Sequence, residues 1–116
     1  MSSFERLKAA QESRKRKLEI DGVELEVVPL SAAQAQPLVR QFADTKDLAA
    51  DDPRLMDLYV ELIARCVCEP GTTDRVFDSD EGRELIRQLP MGHLFEMGFS
   101  AAEVCGLGGP KDAKKN

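Results

Sequence analysis

Apolar and polar residues alternate along residues 17–27, "KLEIDGVELEV", and the alternation breaks once, at Asp21-Gly22. That dipeptide suits a type I′ turn, which needs φ > 0 at both central positions. A two-residue hairpin sets Ile20 opposite Val23 and Leu18 opposite Leu25. Leu18, Ile20, Val23, Leu25 and Val27 then share one face, and Lys17, Glu19, Glu24 and Glu26 share the other. A lone hairpin is marginal in water, so one or two helices are expected to cover the apolar face. Pro29 lacks an N–H and should end the ladder. Both edges of such a hairpin stay open, and open edges invite pairing with another chain.

Elsewhere the period shifts toward that of a helix. Residues 4–13, "FERLKAAQES", are good helix formers but too few to hold a helix alone, which leaves a frayed helix or an arm. Ser31-x-x-Gln34 resembles a capping box, with Leu38, Val39 and Phe42 facing inward. Pro37 then forces either a kink or a later helix start. The clearest helix follows "ADDP": Asp51 or Asp52 caps it, and Pro53 sits in its first turn. Leu55, Leu58, Tyr59, Leu62, Ile63 and Cys66 form its stripe, and Pro70-Gly71 should stop it. Asp78-x-x-Glu81 offers a second capping box, ahead of Leu85, Ile86 and Leu89 as an inward face. A last helix should run from about Met91 to Leu107, ended by Gly106 and Gly108-Gly109-Pro110. The expected fold is α+β and mainly α, an N-terminal β-hairpin followed by three to four packed helices.

A length of 116 residues suits one domain. The expected division is a flexible basic N-terminal arm over 1–16, a single hairpin-plus-helices domain over 17–109, and a polar tail over 110–116. Nothing approaches 18 consecutive apolar residues, so no membrane span is expected. The opening residues "MSSFERLKAA" lack the apolar centre of a signal peptide, which points to a cytoplasm. The net charge of −5 is uneven: residues 1–17 carry +4 and 111–116 carry +2, leaving −11 on the body. An acidic body argues against a nucleic-acid face on the folded part. The run Arg14, Lys15, Arg16, Lys17 could touch phosphate, but no aromatic interleaves it, and a solvated arm explains it as well.

Reactive chemistry is hard to place. Cys66, Cys68, Cys105 and His93 are a legal zinc set by type, but Cys-x-Cys is not the usual knuckle spacing. Cys66 and Cys105 lie on apolar stripes, where a free thiol acts as a small hydrophobe. His93 is the only histidine, so a nucleophile–base pair lacks a base, and a helix-surface histidine is the plain reading. Asp74, Asp78, Asp80 and Glu81 lack the central glycine of a calcium loop and serve equally as helix caps. No glycine-rich phosphate loop precedes a helix. The expectation is no catalytic residue, no metal and no cofactor.

What remains is surface. Phe4, Tyr59, Phe77, Phe95 and Phe99, with Met56, Met91 and Met97, exceed what one narrow seam needs. Met91 and Met97 flank the last helix, and such methionines suit either an adaptable contact surface or a loosely built core.

The "FERL" start, the basic stretch, "EIDGVELEVVPLSA", the "DP"-started helix, "FDSDEGRELIRQLP" and the closing "KN" together resemble tail assembly chaperones of long-tailed bacteriophages. The resemblance spans residues 4–116 and rests on pattern and order. It implies a non-enzymatic protein of the host bacterial cytoplasm that keeps the tape measure protein soluble and helps tail tube subunits assemble around it. It also implies a homo-oligomer. In this family a −1 frameshift near the end of the short product often appends a second domain, and Lys114-Lys115-Asn116 is compatible with a slippery codon run. The expected client contact is Leu94, Phe95, Phe99 and Ala102, and the expected self-association surface is the hairpin, Leu18, Ile20, Val23, Leu25 and Val27. The alternative is a small nucleic-acid-associated or regulatory adaptor working through Arg14 to Lys17.

Overall fold

The structure is a computed structural model that describes residues 2–107 other than Lys46 and Ala50. Gly108-Gly109-Pro110 and the Lys114-Lys115-Asn116 tail lie outside the described residues. The element order is α1 (Ser3–Ser13), β1 (Arg16–Ile20), β2 (Val23–Val27), α2 (Ala32–Ala43), α3 (Pro53–Cys66), β3 (Val67–Cys68), α4 (Asp80–Gln88) and α5 (Met91–Cys105). This is an α+β fold dominated by helices.

The hairpin has the expected register, Leu18 against Leu25 and Ile20 against Val23. Asp21 and Gly22 both take positive φ, 53° and 81°, as a type I′ turn requires. Helix α5 packs across β1 and β2 and covers the apolar face. Ile20, Leu25 and Val27 are core residues and Leu18 packs at the core margin, whereas Val23, beside the turn, is 58% exposed.

Helix α3 is the centre of the molecule. Leu58, Val60, Leu62, Ile63, Ala64 and Cys66 are all buried, so its second half is enclosed on most of its circumference. Its N-terminus follows the expected chemistry: Asp52 caps it, accepting from the Arg54 N–H at 2.9 Å, and Pro53 occupies the first turn. Its C-terminus does not. The helix stops at Cys66, four residues before Pro70, because Val67 turns extended (φ −87°, ψ 122°) and pairs with Val27. The Val28 N–H donates to the Cys66 carbonyl at 2.8 Å, which seals the break. The resulting β3 occupies part of the outer edge of β2, so among the described residues only the β1 edge is open along its whole length. It also buries Glu26, expected on the wet face: Glu26 pairs with Cys68 and accepts from the Gly71 N–H at 3.0 Å.

Three other helix boundaries follow from local chemistry. Ser31 and Gln34 form a reciprocal capping box, so α2 starts at Ala32 and runs on through Pro37, with no later start. On α2 Leu38 is buried and Phe42 half-buried, but Val39 is 51% exposed, not inward. The cap of α4 is Ser79, whose hydroxyl accepts from the Gly82 N–H at 2.9 Å; Asp78 is drawn off by Arg75 and Arg83. On α4 Ile86 is buried and Leu89 partly so, while Leu85 points outward, 50% exposed. Helix α5 ends two residues earlier than the sequence pattern suggests, at Gly106 in the left-handed region (φ 74°). The Leu107 N–H reaches back to the Ala102 carbonyl at 2.8 Å. Met97, on a flank by sequence, is fully buried, and Met91 alone of that pair is exposed.

Gly82 sits in the first turn of α4 directly against the backbone of Phe77. A Cβ there would lie 2.5 Å from the Phe77 carbonyl oxygen. Replacing an ordinary helical glycine by alanine gains up to about 1 kcal/mol. Here the sign should reverse: Gly82→Ala is expected to destabilise by about 1–3 kcal/mol, read as a lower denaturant midpoint with unchanged slope. A midpoint at or above that of the native chain would mean that the Phe77 turn yields freely.

Candidate interaction surface

The three helices α2, α3 and α5 each contribute aromatic side chains to one cluster. Tyr59, on α3, stands at its middle. Phe42 of α2 meets it edge-on at 6.0 Å, Phe95 of α5 at 6.3 Å and Phe99 of α5 at 5.6 Å. Phe95 and Phe99, one helical turn apart, stack with their ring planes 1° apart and centroids at 5.4 Å. Such pairs contribute about 0.5–1.5 kcal/mol each beyond their area. Gly98 makes the arrangement possible, since a Cβ there would come within 2.9 Å of Tyr59 Cδ1. The half-buried setting raises the Tyr59 phenol pKa. Phe99 nonetheless remains 54% exposed, and Phe42, Tyr59 and Phe95 are only partly covered.

The expected client residues therefore separate. Phe95 and Phe99 belong to this cluster. Leu94 faces the other way and is a core residue, and Ala102 packs against the core. Phe42 is the member that sequence reasoning passed over, because it sits on a helical stripe that reads as interior; Tyr59 stands both on such a stripe and among the surplus aromatics. Within the hairpin set, Ile20, Leu25 and Val27 are likewise core, which leaves the strand edge as the hairpin's outward feature.

A charged network holds the frame behind the cluster. Glu61 of α3 receives Arg83 of α4 through two parallel bonds, both at 3.0 Å, and Arg65 through one at 2.7 Å. Arg83 also reaches Asp78, which is shared with Arg75, each at 3.0 Å. The Arg83 guanidinium lowers the Glu61 carboxyl from an ordinary 4.5 to about 2, and Arg65 adds to it against the cost of burial. His93 Nε2 donates to the Asp21 carboxylate in the hairpin turn at 3.1 Å, so it ties α5 to the turn and is half-buried there. Arg16 is ion-paired with Glu103 of α5.

The three cysteines are free thiols. Cys66 and Cys105 meet across α3 and α5 with their sulfurs 3.5 Å apart, and the Leu30 N–H points at Cys105 Sγ from 3.4 Å. Cys105 accepts from the Cys66 thiol and from Leu30, which lowers its pKa to about 7; that same bond, with burial, pushes Cys66 up. Cys68 is buried beside them and is also pushed up by burial. Among the described residues, no three or more His, Cys, Asp or Glu side chains gather as a metal would need, and no helix is long and apolar enough to cross a membrane.

Comparison with protein-family models, with curated proteins and with solved structures finds no match in any of the three.

Two outcomes follow from these geometries. A carboxyl whose folded pKa is depressed stabilises fully above its unfolded value and ceases to do so as pH falls through the folded one. Glu61→Gln should therefore cost about 1 kcal/mol at pH 7, and the gap from the native chain should close between about pH 4.5 and 2 in acid-dependent melts. A gap independent of pH would assign the loss to packing. Among the thiols, Cys105 should alkylate first, with onset below the range of an ordinary cysteine, about 8.5. Mass mapping of iodoacetamide adducts across pH reads this, and modification of Cys66 or Cys68 ahead of Cys105 would refute it.

Proposed function

We propose that this protein is a non-enzymatic tail assembly chaperone, which holds the apolar helices of a tape measure protein in solution in the bacterial cytoplasm. The observation that carries the reading is the half-exposed aromatic cluster of Phe42, Tyr59, Phe95 and Phe99, presented by three packed helices. Aromatic side chains anchored at one edge and open at the other suit an amphipathic helix laid across them. The acidic body keeps a loaded complex dispersed by net repulsion. The resemblance of its sequence elements, in pattern and order, to those of the chaperone family supports the same reading. The adaptor reading is weaker because Arg16, within its basic run, is already paired with Glu103 in the fold. Contact with tail tube subunits would come through a longer, frameshifted product.

Co-expression tests the proposal. A tape measure fragment that pellets alone should move to the supernatant with the native chain and stay in the pellet with Phe99→Ser. Phe99 is 54% exposed but gives up its ring contacts with Tyr59 and Phe95, so that change should cost about 1–3 kcal/mol and leave the helical circular dichroism intact. A client that pellets with the native chain, or is solubilised equally by Phe99→Ser, would count against the reading.

A further inference from the structure

Strand β1 is the outer strand of the sheet, with β2 on one side and, among the described residues, no strand on the other. Ile20 and Val23 flank a two-residue turn and therefore form a hydrogen-bonded pair. Alternation along an antiparallel ladder then directs the amides of Leu18 and Arg16 toward β2 as well, and those of Lys17 and Glu19 away from it. Lys17 and Glu19 are both exposed, and among the described residues no backbone hydrogen bond joins either of them to anything outside the sheet. The edge thus offers two N–H donors and two C=O acceptors, spaced one residue apart around Leu18.

We infer that this edge pairs with the same edge of a second copy, antiparallel and centred on Leu18. The register follows from charge. Outward residues must meet outward residues, which restricts the two-fold axis to a few positions along the strand. Centred on Lys17, the axis sets lysine against lysine; centred on Glu19, it sets glutamate against glutamate. Like charges directly opposite one another destabilise a ladder. Centred on Leu18, it matches Lys17 of each copy with Glu19 of the other, twice. Four backbone hydrogen bonds form, and both side-chain pairs carry opposite charge. The segment Lys17-Leu18-Glu19 is antisymmetric in charge about its midpoint, the pattern a two-fold edge needs. Leu18, only partly buried in one copy, meets its twin across the axis and gains cover. The product is one continuous six-stranded sheet, in which the exposed edge of each copy is closed by the other.

Sedimentation of the full chain at tens of micromolar tests this, together with amide exchange at Lys17 and Glu19. The native chain should be dimeric, with those two amides protected in a concentration-dependent way. Lys17→Glu and Glu19→Lys each make both cross-strand pairs repulsive and should weaken dimerisation on the order of tenfold or more. Both side chains are on the surface, so the monomer fold should survive, as circular dichroism can check. An equimolar mixture of the two variants restores opposite charge at both pairs and should form a heterodimer that neither forms alone. A strictly monomeric native chain, single variants as dimeric as the native chain, or a mixture that fails to associate would each overturn the inference. So would protection of the two amides that arises only on adding a client fragment. The edge lies outside the aromatic cluster, so failure here leaves the Phe99 experiment to be read on its own.

Discussion

Helices α4 and α5 and the sheet are placed by the need to surround α3. From Leu58 to Cys66 this helix carries apolar side chains around most of its circumference, and water can satisfy none of them. A single neighbouring helix covers one stripe. Here α5 takes one side and α4 another, and the hairpin closes the remainder through α5 and through the short pairing of Val67 with Val27. Leu62, Ile63, Ile86, Leu94, Met97, Val27 and Val67, from five different elements, are all essentially inaccessible. The hairpin that is too small to stand alone is thus stable because its apolar face is one wall of that enclosure.

Features governed by neighbours in sequence were legible, and features governed by distant contacts were not. The Asp21-Gly22 turn, the strand register, the Ser31 box, the Asp52 cap and the Gly106 stop each depend on a residue's own dihedral freedom or on a side chain reaching three positions along. The break at Cys66-Val67 has no glycine or proline to announce it. Val67 is free to stay helical until β2 is beside it, and the pairing with Val27 decides. The same contact encloses Glu26, whose alternation alone placed it in water. Asp78 and Ser79 are both good caps; the choice between them falls to Arg75 and Arg83, which claim Asp78 first. Phe95 and Phe99 were recognisable as candidates for a surface. Tyr59 was too, but its place at the middle of the group was not, and Phe42 joins only once α2 brings it against Tyr59 of α3.

The thiol pair shows how packing makes two neighbouring sulfurs unequal. Cys66 and Cys105 face each other at 3.5 Å, in a setting that lowers one and raises the other. A nucleophile needs a base and room for a substrate. The shared proton lies between two sulfurs from helices that form the core, and Cys66 has no exposed surface at all. Cys105, only partly buried, is the thiol of the pair that a small reagent can reach.

The aromatic cluster is a different case, because its members are open to solvent and yet held. A surface phenylalanine on a lone helix samples several rotamers, and ordering it on binding costs about 0.5–1.5 kcal/mol. Phe99 has much of that freedom removed in advance. Phe95 stacks on it and Tyr59 meets it edge-on, and Gly98 lets Tyr59 approach closely enough to do so. Those contacts leave more than half of the ring's surface uncovered. A binder that must accept long apolar segments of varied sequence cannot rely on matched polar contacts for affinity. It can rely on apolar area that is already ordered, since the entropy lost on contact is then mostly the partner's. On the proposed reading, Glu61 and Arg83, which clamp α3 to α4, serve the same end: they hold the helix that carries Tyr59, and so keep the cluster presented.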